Sequence, residues 1–414
     1  MNPNQAGQTT NGAGSGAGQT RVPGWLNRTV LGIGLASLFS DWSHEMATTV
    51  LPAFLATLGV AAFWLGLIEG VADGLSSFAK MASGVYTDKL QRRKPIAVIG
   101  YLATALGTAS FGLATAAWQV LAARSLAWLG RGVRTPVRKA LLAGAVTQAT
   151  YGRAFGFERM LDTLGAIVGP ATAFLLLGTF HLHYPTLFAV TLIPSLMAVG
   201  LMAFAVREQE RKPVAHVAFG ERLRSLPPAF RKFLVAVGLF GTGDFAHTLL
   251  ILLATQKLTP ILGGTRAASL AVGLYVLHNL FNAGFAIIAG GLADRFPKKW
   301  VLAAGYAVAA GMALAIVFLP LTPWTFAAIF ALGGVSTAMV DTLEDTFCAE
   351  LVGAENHGLA FGTLATVNGV GDFLSSIVVG SLWTLFGTSV AFGYSTVLFL
   401  AGGWLVLRLP RPAT

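Results

Sequence analysis

The chain has 414 residues, of which 55 % are hydrophobic and only 11 % charged, with a mean hydropathy of +0.68. Soluble domains carry about 25 % charged residues, and a soluble fold here would leave almost nothing polar to cover its helices. The net charge of +10 is divided among short loops, which marks topology beside anionic headgroups rather than nucleic-acid binding. The single Cys348 excludes an intrachain disulfide and a zinc-type cysteine cluster.

Residues 1–24 are rich in Gly, Asn, Gln, Thr and Ser and read as a disordered cytoplasmic tail. They lack the basic-then-apolar order of a signal peptide, so the first hydrophobic helix is expected to stay in the mature protein. Breaks at Gly/Pro clusters and charged turns then predict twelve spans: 29–56, 62–86, 95–115, 118–143, 153–178, 184–205, 231–255, 267–292, 298–319, 323–349, 358–384 and 387–408. Each is long enough to cross a bilayer as a helix. The longest polar interruption, 207–230, separates an N-terminal six-helix bundle (25–206) from a C-terminal one (231–410).

In span one, Asp41, His44 and Glu45 fall at i, i+3 and i+4 and share one helical face. Span two places Glu69, Asp73 and Lys80 on one face, and the loop after it reads Gly84-Val-Tyr-Thr-Asp88-Lys89-Leu-Gln-Arg92-Arg93-Lys94. Span four carries Arg131, Arg134, Arg138 and Lys139 near its end. Span five carries Glu158, Arg159 and Asp162, followed by Gly165-Ala-Ile-Val-Gly169-Pro170. There the glycines suit close helix approach and the proline bends the helix. Span seven holds Asp244 and His247 among Gly238, Gly241 and Gly243, which would let it bend beside Asp244. Spans ten and eleven hold Asp341, Glu344 and Asp345, and Asn368 and Asp372.

Eleven of the 18 acidic residues thus lie inside spans: Asp41, Glu45, Glu69, Asp73, Glu158, Asp162, Asp244, Asp341, Glu344, Asp345 and Asp372. A charge at the bilayer centre costs at least about 2.5–3.5 kcal/mol, so these groups must pair, take up protons or line a wet cavity. Outside the spans, the Lys and Arg residues occupy the tails and the even-to-odd loops, with the exceptions of Lys257 and Arg266. By the positive-inside rule both termini are cytoplasmic.

The two halves repeat at an offset of 206. Trp118 falls on Trp324, "GRAFG" from Gly152 falls on "GLAFG" from Gly358, and Asp88 falls on Asp294. The same offset carries Arg138 onto Glu344 and Lys139 onto Asp345, so equivalent positions bear opposite charges. They either pair locally or attract across the cytoplasmic opening, and Arg131 with Arg134 offers a third use as an anion patch. Parallel six-helix repeats imply alternating access around a central site.

With these motifs the sequence resembles the major facilitator superfamily over residues 25–410. The loop from Gly84 is similar to that family's G-x-x-x-D-[RK]-x-G-R-[RK] signature, with Gln91 in place of its glycine, and a degenerate copy runs from Gly290 to Lys299. The resemblance implies an all-α membrane protein with twelve transmembrane helices in two pseudo-symmetric bundles. It also implies a gate in which Asp88, Arg92, Arg93 and Asp294 latch the cytoplasmic ends; the opposite charges of spans four and ten add Arg134, Arg138, Lys139, Glu344 and Asp345 as further gating candidates. Gly165, Gly169 and Pro170 resemble the antiporter motif of exporters in the superfamily, without its following paired glycines. A monomer in the bacterial inner membrane is expected.

The function expected is secondary active transport of a small molecule, coupled to protons and directed to efflux. Its cavity candidates are Asp41, His44, Glu45, Asp244 and His247, then Glu69, Asp73, Asp162 and Asp372. A divalent metal or metal chelate bound by Asp41, His44, Asp244 and His247 is the alternative. An enzyme or non-transporting receptor is the remaining class. It lacks support from any G-x-S-x-G, H-E-x-x-H or P-loop, and no cofactor is called for.

Overall fold

The computed structural model describes residues 24–59, 62–208, 219–245 and 247–410. The expected N-terminal tail, Gly24 excepted, and residues 209–218 of the linker lie outside them. The helices in chain order are α1 (Arg28–Thr57), α2 (Ala62–Thr87), α3 (Lys94–Ala109), α4 (Ala117–Gly144), α5 (Tyr151–Phe174), α6 (Tyr184–Val190), α7 (Leu192–Gly200), α8 (Phe219–Ser225), α9 (Pro228–Gly241), α10 (His247–Leu262), α11 (Gly264–Arg295), α12 (Lys298–Phe318), α13 (Pro323–Leu351), α14 (His357–Phe386) and α15 (Thr388–Leu407).

Among the described residues, eight helical stretches are long and apolar enough to cross a membrane. The other four expected spans are α1, α2, α4 and the α9–α10 pair. All four carry charges at membrane depth, and α9–α10 is broken besides. Span six is interrupted at Thr191 between α6 and α7 and ends in a π-turn at Leu201–Ala205. Span seven, expected to be continuous and bent, is broken: residues 242–245 are non-helical and Asp244 sits in the link. Its backbone N–H still reaches the carbonyls of Phe240 (3.0 Å) and Gly241 (3.2 Å). A broken helix is tolerated at this depth only where it faces protein or a cavity.

Local chemistry sets several helix ends. Asn27 caps α1, its Oδ1 accepting from the backbone N–H groups of Thr29 (2.9 Å) and Val30 (3.1 Å). Gly263 (φ +81°) and Gly387 (φ +87°) take the left-handed conformation at the sharp turns before α11 and α15, where a side chain would be strained. Within the halves, α5 packs on α1 and α11 on α13. Between the halves, the principal contacts are α5 on α11 and α2 on α14, two interfaces that the 206 offset makes equivalent.

Three pairs show how the repeats are related. Lys139 meets Asp345, Tyr151 meets His357 (ring centroids 6.4 Å apart), and Phe155 meets Phe361 (5.7 Å). Each pair joins residues 206 apart. Two positions exchanged by a two-fold axis can touch only on that axis, so these pairs trace the pseudo-two-fold of parallel repeats. Away from it, Gly84 packs on Gly358 and its counterpart Gly290 on Gly152. A Cβ on Gly290 would lie 2.7 Å from the Gly152 carbonyl carbon, so only glycine permits this approach.

Candidate substrate pathway and its charged lining

The halves are latched at the Lys/Arg-rich face. The first N–H groups of a helix lack intrahelical acceptors and lie at the positive end of its dipole, so a carboxylate binds well there. Asp88, fully buried beyond the end of α2, accepts from the backbone N–H groups of Gly358 (3.0 Å) and Leu359 (2.8 Å) in the first turn of α14. Asp294 does the same at α5, accepting from Gly152 (2.8 Å) and Arg153 (3.1 Å). Each latch is thus a carboxylate of one half on a helix N-terminus of the other.

Their cationic partners differ. Asp88 pairs with Arg93 and with Arg222 of α8, whose Nη2 is 2.9 Å from Oδ2. Arg222 also donates to the Val85 carbonyl (3.1 Å) and to Asn356 Oδ1 (3.1 Å), so the segment between the halves enters the latch. Asp294 has Arg153, with Nε at 2.8 Å. Glu208 caps α3 through the backbone N–H groups of Arg93 (2.7 Å) and Lys94 (2.8 Å). Arg92 is exposed on the same face. Deeper, two further ion pairs cross between the halves: Lys139 with Asp345 (2.7 Å), and Arg159 with Asp341.

Most membrane-depth charge in the first half is satisfied locally. Arg138 binds Glu158 (3.0 Å), Asp162 (3.4 Å) and Ser37 (2.6 Å), and Ser37 donates on to Glu158 (2.6 Å). Arg131 lies 3.4 Å from Asp41. Arg134 donates to Ser40 and stacks over Tyr101, its guanidinium carbon 4.1 Å from the ring centroid. Arg124 grips Glu69 with two bonds (2.8 and 2.9 Å), donates to Thr48 (2.9 Å) and lies 3.5 Å over the Trp128 ring. Trp128 donates to Asp73 (2.7 Å) and packs against His44, whose Nε2 is 3.8 Å from Glu45. Gly165 and Gly169 bring α5 against α1 at this level: a Cβ on Gly169 would lie 2.7 Å from that of Glu45. Pro170 lies inside α5 just beyond them.

Among the described residues, two cavities border these charges. The smaller, about 180 Å³, lies between the halves. It is lined by six acids (Asp41, Glu158, Asp162, Asp341, Glu344, Asp345) and six bases (Lys80, Arg131, Arg134, Arg138, Lys139, Arg159). The larger, about 380 Å³, belongs to the second half apart from Arg159. Asp244, Asp341, Glu344 and Asp372 line it with that one arginine, beside His247, His278 and an apolar wall that includes Phe240, Phe245 and Met312. Glu344 accepts from the Tyr306 hydroxyl and from Asn368 Nδ2, both at 2.8 Å. Asp244 and Asp372 are exposed to the cavity, and among the described residues neither forms an ion pair.

Of the expected cavity residues, Asp244, His247 and Asp372 therefore line the acidic cavity and Asp41 and Asp162 the balanced one. His44, Glu45, Glu69 and Asp73 line neither; each touches a protein partner, although Asp73, bonded to Trp128, is exposed. Of the expected gating residues, Asp88, Arg93, Asp294, Lys139 and Asp345 make contacts between the halves. Arg134, Arg138 and Glu344 bond within their own half. Asp41 and Asp244 line different cavities, and the described residues hold no group of three or more His, Cys, Asp or Glu side chains placed for a metal. Sequence reasoning missed the Arg159–Asp341 pair, although both residues were visible as opposite charges at membrane depth. It also read Arg222 only as a topology signal and did not single out His278.

The sequence model of the Major Facilitator Superfamily matches residues 33–259 and 235–414. An uncharacterized MFS-type transporter of Methanocaldococcus jannaschii is 26 % identical over 382 residues, covering 92 % of this chain and 95 % of that protein. The multidrug resistance protein MdtH of Enterobacter is 33 % identical over 124 residues, 29 % of this chain and 30 % of its own length. The crystal structure of FucP, an MFS transporter in the outward conformation, superposes with a TM-score of 0.72 at 15 % identity, covering 92 % of this chain and 99 % of FucP. The human organic anion transporter MFSD10 gives 0.71 at 15 %, with the same coverage. The chain belongs to the Major Facilitator Superfamily and is an integral membrane transporter, not an enzyme.

Proposed function

We propose that the protein is a proton-coupled antiporter that exports a small molecule by alternating access, working as a monomer. The observation that carries this reading is the pair Asp244 and Asp372, two carboxylates open to a cavity at membrane depth with no ion-pair partner among the described residues. Such groups need neutralisation by a proton or by a ligand. When proton and ligand compete for the same carboxylates, loading one releases the other, and that exchange is antiport. The motif at Gly165–Pro170 and the partial likeness to a multidrug resistance protein support the export direction.

The positive-inside rule places the latched face and both termini in the cytoplasm, with a bacterial inner membrane as the setting. On that assignment the structure is closed towards the cytoplasm by the Asp88 and Asp294 latches. Opening inward requires both helix N-termini to give up their carboxylates. The test is proteoliposomes with an enclosed pH-sensitive dye, an imposed pH gradient and a broad panel of solutes. Solute-driven proton movement that is lost in Asp244→Asn supports antiport. A panel that moves no protons through the wild-type protein removes the coupling.

A further inference from the structure

Resting on the transport reading, we infer that the cavity of about 380 Å³ takes a protonated primary or secondary amine carried on an apolar, aromatic body. Two of its four acids are already engaged: Asp341 holds Arg159, and Glu344 accepts from Tyr306 and Asn368. Asp244 and Asp372 are left facing the cavity without an ion pair among the described residues. Lys80 acts on Asp372 from α2 without reaching ion-pair distance. The site therefore has uncompensated acidic groups, and a carboxylate-bearing ligand would meet Asp244 and Asp372.

A second observation narrows the head group. His278 is only 1 % exposed and its ring belongs to the cavity wall, with Nδ1 packed on α13 beside Gly333 and a backbone hydrogen bond to Phe330. A neutral imidazole that donates one N–H to the Phe330 carbonyl keeps its other nitrogen as an acceptor, which a ligand N–H would satisfy. A primary or secondary ammonium offers both the positive charge for Asp244 and Asp372 and a donor for the imidazole. A quaternary ammonium offers only the charge. Phe240, Phe245 and Met312 supply the aromatic and polarisable surface for the body of the molecule. The volume falls in the range of small-molecule sites, about 300–1,000 Å³.

The test is calorimetric titration of the full-length detergent-purified protein with a matched series: phenylbutylamine, its N,N,N-trimethyl analogue, phenylbutanol and phenylbutanoate. The amine is expected to bind at least about tenfold more tightly than the alcohol or the carboxylate. Asp244→Asn should weaken the amine by about tenfold or more, with Asp372→Asn as the second variant should the first not fold. His278→Phe should erase the preference for the amine over the trimethyl analogue. Equal affinity for phenylbutanoate, or an unchanged amine affinity in both folded Asp variants, overturns the inference. Amine binding that moves no protons in liposomes keeps this site and ends the antiport reading. Proton movement driven by the carboxylate and not the amine does the reverse.

Discussion

The two cavities differ in how their charge is balanced. The one between the halves is lined by six acids and six bases, and most of these are paired at 2.7–3.4 Å. The one in the second half has four acids against a single arginine, which is itself engaged by Asp341. Membrane-depth charges look alike in a sequence, yet they do two different jobs here. Those in the balanced cavity hold helices together and tie the halves. In the acidic cavity Asp341 and Glu344, which also line the balanced one, are held by protein groups, and Asp244 and Asp372 are left for something that is not protein.

Substitutions should separate the two. The largest effect is expected at Arg138, because Arg138→Leu leaves the buried Glu158 without an ion-pair partner among the described residues, beside Asp162, which keeps Arg159 at 3.7 Å. Breaking one partner of a buried pair costs about 3–5 kcal/mol, so the variant should fail to give a monodisperse peak on size exclusion, and Arg138→Leu/Glu158→Gln should recover part of the loss. Asp88→Asn comes next. It keeps an acceptor for the α14 N-terminus and loses the charge that holds Arg93 and Arg222. Hydrogen bonds to charged groups are worth about 1.5–3 kcal/mol, so spin labels on the latched ends of α2 and α14 should show a population with longer distances. Asp294→Asn, which gives up one cation instead of two, should shift less.

The Lys139–Asp345 tie is best read by a double-mutant cycle. Lys139→Met and Asp345→Asn should couple in thermal stability by about 0.5–3 kcal/mol, and additivity would mean that the pair does not hold the halves. The smallest stability change is expected at Asp244. Asp244→Asn removes no ion pair with a described residue, so its melting should stay within about 0.5 kcal/mol of wild type, although solute-driven proton movement is lost. A large drop in stability there would erase the distinction between the two cavities.

The sequence disclosed depth, sign and register. The 206 offset by itself pairs Asp88 with Asp294 and sets Lys139 opposite Asp345. What it did not disclose is azimuth, the direction in which a helix face points across a boundary with another helix. Arg138 and Lys139 are neighbours in sequence, yet one turns to Glu158 within its bundle and the other to Asp345 across the axis. Asp41-x-x-His44 and Asp244-x-x-His247 share a spacing, but the second pair straddles a break in span seven, so a continuous helix was the wrong frame for it. Arg222 and His278 were invisible for a related reason. An arginine in a polar linker and a lone histidine in an apolar span acquire meaning only from what folds against them.

The axis pairs have a consequence for the ancestry of the chain. If two identical six-helix proteins had once associated across this axis, each position on it would have met its own copy. Phe155 against Phe361 is compatible with such a homodimer, aromatic ring on aromatic ring. Lys139 against Asp345 is not, since identical subunits would set ammonium on ammonium or carboxylate on carboxylate at the same place. The attraction requires that the two copies diverged, so this tie is younger than any such homodimer.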